Sequence, residues 1–148
     1  MDTTFHLTVT NSSGESIEKN VSIKLEDFSI DEANIEGELC QAGSLLCFYA
    51  DLAAELDAKA ANLKSRLEEV RALQSIEIRK NHTGSRLTEN MIDELICSDN
   101  KYNIEKRNLI EAQKEAAKAN NLFRSMNQKI ECLKALAYRM NRQEKHTF

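Results

Sequence analysis

The 148-residue sequence predicts a mainly α-helical protein: a long antiparallel helical hairpin of coiled-coil character, a short connecting helix at its turn, and a β-hairpin at the N-terminus. Three observations carry that expectation. The chain holds no proline and only 4 glycines, so little in it interrupts a helix. Leu109, Ala112, Ala116, Ala119, Phe123, Met126, Ile130, Leu133, Ala137 and Met140 follow one another at alternating spacings of three and four, the pattern of a helical seam. The stretch "NHTGSRLTENMIDELICSDNKY", residues 81–102, places two helix-start signals inside one short step, which suits a corner that reverses the chain.

The elements follow in order. Phe5, Leu7 and Val9 alternate with polar residues, and Val21, Ile23 and Leu25 repeat the alternation after "NSSGESIEKN". Period two around a glycine-containing turn predicts a β-hairpin, which is marginal alone and must pack on the helices or on another subunit. This gives two expected domains, a hairpin cap over residues 1–27 and a helical hairpin over 28–148. The helical part opens at "FSIDEANIEGELCQAGS", where Ser29 and Glu32 have capping-box spacing and Gly43 with Ser44 reads as a stop and restart. The expectation is a short helix over 31–41 and a long one over 45–80. The long helix has an apolar face of Leu45, Tyr49, Leu52, Leu56, Leu63, Leu67, Val70 and Leu73. It should end at Asn81–Ser85. Thr88 should cap a short helix through Ile96, and Ser98 or Asp99 a last helix over about 100–143.

If the chain reverses near residue 89, the alanine-rich stretch Ala53 to Ala61 falls opposite Ala116, Ala117 and Ala119, so small residues meet small residues. That match favours an intramolecular hairpin. Leu46, Phe48, Ile76, Ile78, Ile104, Ile110, Leu122 and Leu136 lie outside the seam, where a two-helix structure would leave them wet. Self-association into a homo-oligomer is the expected cover.

Charge is distributed unevenly. Net charge is −4, with 15 Asp/Glu against 8 Lys/Arg over residues 1–81 and 12 Lys/Arg against 9 Asp/Glu over 82–148. From Lys118 onward the cations dominate. Arg124, Lys129, Lys134, Arg139 and Arg142 lie outside the seam and are expected to face solvent, with Tyr138 beside Arg139. Cations that track a phosphate backbone and an aromatic on which a base stacks are the ingredients of single-strand binding. A solvated helix face with cations near its C-terminus accounts for the same residues.

Other classes find little support. His6, His82 and His146 fall in a strand, a loop and a tail, and there is no glycine-rich phosphate loop or His-Glu-x-x-His. No catalytic site, metal or cofactor is expected. Cys40, Cys47, Cys97 and Cys132 form no Cys-x-x-Cys pair and read as buried, reduced thiols. No apolar run is long enough for a bilayer and the N-terminus lacks signal-peptide character, so a cytoplasmic location without membrane contact is expected.

"LTENMIDELICSDNKY" followed by "LIEAQKEAAKANNLFRSMNQKIECLKALAYRM" resembles the UvsY-like phage recombination mediators. The resemblance rests on Thr88, Glu89, Asp99, Tyr102, Ala112, Lys129, Leu136 and Ala137 and spans roughly residues 28–142. "LKSRL", residues 63–67, is similar to that family's Leu-Lys-x-Arg-Leu motif and would assign Lys64 and Arg66 to DNA contact. Glu68 and Glu69 follow where the family has a more aromatic stretch, and the N-terminal hairpin lies outside the pattern. The resemblance implies a ring-like homo-oligomer that binds single-stranded DNA, helps displace single-strand-binding protein and loads a RecA-type recombinase. The competing expectations are a coiled-coil adaptor or inhibitor that binds a host or phage protein complex, and a helical subunit of a larger enzyme.

Overall fold

A computed structural model describes residues 3–10 and 15–145. Strands β1 (Thr3–Thr10) and β2 (Ser16–Ile23) lead through two 3₁₀ turns, Leu25–Phe28 and Glu32–Asn34, into helices α1 (Ile35–Asn81), α2 (Glu89–Ser98) and α3 (Asn100–Lys145). The strands pair antiparallel with Phe5 opposite Val21 and Thr3 opposite Ile23. Alternation puts Phe5, Leu7, Val21 and Ile23 on one face, and all four are buried. The expected turn around Gly14, residues 11–14, lies outside the described residues. Leu25 leaves the alternation because it starts a 3₁₀ turn, and it is 60% exposed.

The entry to α1 differs from the expectation. Ser29 makes no capping box with Glu32; its hydroxyl donates to the Glu26 carbonyl at 2.8 Å and closes the first 3₁₀ turn. Asp31 accepts from the Ala33 N–H at 3.0 Å, and Asn34 accepts from the Gly37 N–H at 3.3 Å, so Asn34 holds the first turn of α1. From there α1 continues for 47 residues without a break. Gly43 does not end a helix. It sits on an exposed face, and the flanking apolar residues outweigh the roughly 1 kcal/mol a mid-helix glycine costs.

The chain forms two compact units, residues 1–55 with 117–148, and residues 56–116. In the first, Phe5, Leu7, Val21 and Ile23 of the β-hairpin, Ile35, Ala42, Tyr49, Leu52 and Ala53 of α1, and Ala119, Met126 and Leu133 of α3 are buried. In the second, Leu56 and Val70 of α1, Ile92 and Ile96 of α2, and Leu109, Ala112 and Ala116 of α3 are buried. There Lys59 pairs with Glu115 at 3.1 Å and Arg66 with Glu105 at 3.0 Å, so rising numbers in α1 meet falling numbers in α3. The two long helices run antiparallel.

The α3 seam keeps its phase. Leu109, Ala112, Ala116, Ala119, Met126 and Leu133 are buried, and Phe123, Ile130 and Ala137 are half-buried; Met140 is exposed. On α1, Tyr49, Leu52, Leu56 and Val70 are buried and Leu45, Leu63 and Leu67 half-buried. Leu73 breaks the expected face at 62% exposed, because after Val70 the inward phase steps by four to the half-buried Gln74 and Ile78.

The corner is built from local hydrogen bonds. Gly84 has φ of 149°, a conformation that favours glycine, and the His82 ring nitrogen Nε2 lies 2.5 Å from the Ser85 carbonyl. Thr88 caps α2 by accepting from the Met91 N–H at 3.3 Å. Asp99 rather than Ser98 caps α3, accepting from the Tyr102 N–H at 2.8 Å, while the Ser98 hydroxyl donates to the Leu95 carbonyl. Exposed ion pairs Arg71 with Asp93 and Arg79 with Glu89 join α1 to α2. Among the described residues no helix is long and apolar enough to cross a membrane.

A methyl group added at Gly43 meets no heavy atom within 4 Å. Gly43→Ala is therefore expected to raise the unfolding free energy by about 0.5–1 kcal/mol through the unfolded chain's entropy, measured by chemical denaturation. A lower stability would mean that another chain or segment occupies that space.

Candidate nucleic-acid interface

The last turns of α3 gather the cations that the sequence singled out. Lys134, Tyr138 and Arg142 recur every four residues, so they line one helix face, with Arg139 a quarter-turn aside. Tyr138 is 66% exposed, and the Arg142 guanidinium carbon lies 6.0 Å from the centre of its ring. That separation is at the outer edge of cation–π attraction and leaves much of the ring open to a stacking partner. Lys134 pairs with Glu131 at 2.8 Å, but both side chains are well exposed, at 61% and 72%. An exposed pair is worth about 0–1 kcal/mol, so a phosphate competes for Lys134 with little penalty. Arg124 and Arg139 are exposed as well.

Lys129 is the exception among these cations. It is 6% exposed, inside the first unit, and not on the solvent face expected for it. Its ammonium donates to the Asp27 carbonyl at 2.8 Å and pairs with Glu38 at 2.5 Å. The reason is the 3₁₀ turn at Leu25–Phe28, which lies over this part of α3 and which a two-helix seam does not anticipate. Close by, the Tyr49 hydroxyl donates to the Asp27 carboxylate at 2.9 Å, and the Tyr49 ring packs against Phe28 at 5.0 Å and Phe48 at 5.2 Å. The Lys129 ammonium holds the Glu38 carboxyl below its ordinary value, helped by the Asp31 N–H and opposed by burial. Burial first, then the hydrogen bond to Asp27, pushes the Tyr49 phenol up.

The second unit places Lys64 and Arg66 differently from each other. Lys64 is exposed. Arg66 is 63% exposed, but its partner Glu105 has a side chain only 9% exposed, so Arg66 neutralises a largely buried carboxylate. Moving Arg66 to a phosphate would strand that charge, which makes it a structural partner before a ligand contact. Glu105 was open to detection: it continues the seam one step N-terminal to Leu109, and an acid in an apolar phase signals a paired charge.

All four cysteines are free and exposed, so the expectation of buried thiols is corrected. Cys40 and Cys47, one heptad apart, lie on the exposed side of α1 rather than on the face that buries Ala42, Tyr49 and Leu52. Comparison with protein families, with curated proteins and with solved structures finds no match for the chain.

Lys129→Ala should lower stability by about 3 kcal/mol, since it leaves the Glu38 carboxylate and the Asp27 carbonyl short of their donor. Urea denaturation measures this, and a change below about 1 kcal/mol would show that the cation is dispensable. The acid limb follows from the same contact. A carboxyl lowered in the folded state adds stability that is present above its ordinary value of 4.5 and is lost as pH falls through the folded value. Wild-type stability should fall more steeply than that of Glu38→Gln below pH 4.5. Parallel curves for the two proteins would remove Glu38 from the acid transition.

Proposed function

We propose that this chain is a cytoplasmic, non-enzymatic recombination mediator. In this reading it binds single-stranded DNA as a homo-oligomer and helps load a RecA-type recombinase against single-strand-binding protein. The observation that carries DNA binding is the end of α3, where an exposed tyrosine stands between Lys134 and Arg142 on one face and beside Arg139. A single strand offers phosphates to the cations and unstacked bases to the ring, whereas the bases of a duplex stay stacked. Exposed Phe48 in the first unit and exposed Ile104 and Ile110 in the second support the oligomeric part of the reading. The recombinase and the single-strand-binding protein enter through the sequence resemblance alone.

A second reading has an observation of its own. In the second unit Leu73, Ile76, Met91, Leu95, Ile104 and Ile110 are each more than 40% exposed, which suits a protein-binding adaptor or inhibitor. An adaptor would bind its target with no DNA present.

Titration of a fluorescent single-stranded oligonucleotide across a salt series, with light scattering on the same samples, separates the two. Charge reversal of Arg139 and Arg142 to Glu is expected to weaken binding at least tenfold and to flatten the slope of log affinity against log salt by about 1.4, from two lost phosphate contacts. The melting temperature should be unchanged, because both side chains are exposed. Unchanged affinity in the double variant would eliminate the α3 site, and an oligomer with no salt-sensitive DNA binding would favour the adaptor.

A further inference from the structure

The sheet has only two strands, so β1 and β2 each present one edge that no further strand covers. Among the described residues no backbone hydrogen bond joins either strand to another element. The N–H and C=O groups of alternate residues therefore point outward along each edge. The two edges differ in sequence. β2 carries Glu18 and Lys19, and charge on an edge deters an incoming strand. β1 reads "TTFHLTVT", with no Asp, Glu, Lys, Arg, Pro or Gly, and its threonines and valine are β-branched. Thr3, Thr4 and His6 are exposed. This edge has none of the usual guards.

We infer that β1 pairs antiparallel with β1 of a second copy, about a two-fold axis at Leu7. An axis normal to the sheet keeps the Phe5 faces of both copies on one side, so residues of equal parity must stand opposite each other. With Leu7 on the axis, position 5 stands opposite position 9 and His6 opposite Thr8. Apolar positions then meet apolar positions, over residues 4–10 of each strand. Such a pairing closes about six to eight backbone hydrogen bonds. An axis at His6 instead sets the two histidines against each other and Thr3 against Val9, a poorer match. The product is a four-stranded sheet with Phe5, Leu7, Val21 and Ile23 of both copies on one face. A lone two-stranded hairpin is marginal, and doubling it supplies the strands that a stable sheet needs. The occupant is a second copy because β1 itself is the uncharged, alternating strand that this edge fits. A two-fold pairing closes at two copies, unlike the ring that the sequence resemblance implies, and the hairpin lies outside that resemblance.

The test uses the full chain without nucleic acid, so failure of the single-strand reading would leave its result intact. Light scattering across a concentration series gives the mass, and hydrogen exchange with peptide mass spectrometry is followed on the same samples. Exchange of the β1 amides should slow at least about tenfold as the mass doubles. His6→Lys should halve the mass at equal concentration, because it sets two ammonium groups about 7–8 Å apart on neighbouring strands. Helicity should be unchanged, since His6 is exposed. Glu18→Lys, on β2, should leave the mass as it is. A protein that stays monomeric, an oligomer whose β1 exchange ignores concentration, or an unaltered mass in His6→Lys overturns the pairing. Where His6→Lys fails to fold, exchange in the wild-type chain decides.

Discussion

A buried ammonium fixes the first unit. Removing the Lys129 charge from water costs several kcal/mol, and only simultaneous contact with the Glu38 carboxylate and the Asp27 carbonyl offsets it. Those groups sit on three different elements: α3, the first turns of α1 and the 3₁₀ turn that follows β2. The contact is complete only when all three are in place, so it specifies their arrangement more than it adds net stability. Tyr49 strengthens the same point, with its hydroxyl on Asp27 and its ring between Phe28 and Phe48. With the turn held there, the apolar face of the β-hairpin has a defined core to enter.

The elements legible in the sequence were those set by neighbours in the chain. The α3 seam, the Gly84 corner and the Thr88 cap each depend on spacing or on one residue's backbone preference, and each stands in the structure. Gly43 misled because a helix interior tolerates a glycine when apolar neighbours on both sides are packed. Ser29 misled because its hydroxyl had a nearer acceptor in Glu26. Lys129 was unreadable for a different reason: its partners lie 91 and 102 residues away, in a packing layer that helix periodicity does not describe. Part of the candidate interface, Tyr138 with Arg139 and Arg142, was legible as local composition.

What a cation can do is decided by the exposure of its partner. Lys134 and Arg66 each have a carboxylate at 2.8–3.0 Å, and by distance alone they are alike. Glu131 is in water and loses little when Lys134 leaves, whereas Glu105 would remain as a nearly buried charge if Arg66 moved. The same rule withdraws Lys129 entirely. A count of basic residues toward the C-terminus therefore overstates the surface open to an anion, and the exposed set contracts to Arg124, Lys134, Arg139 and Arg142, of which only the last three lie near Tyr138.

The small residues of the seam have a consequence for the surface. Ala112, Ala116 and Ala119 are buried at positions where leucines would bury far more apolar area, so this stretch of helix contact contributes less hydrophobic stabilisation per turn. Alanine permits close helix approach, yet it leaves the larger apolar side chains outside the seam. Ile104 and Ile110 remain 47% and 41% exposed on α3, and Phe48 remains 42% exposed on α1. A chain that spends its inward positions on alanine and its outward ones on isoleucine and phenylalanine gains from covering those outward positions with a further surface. A surface laid over those positions would therefore add apolar burial that the alanine-rich part of the seam does not supply.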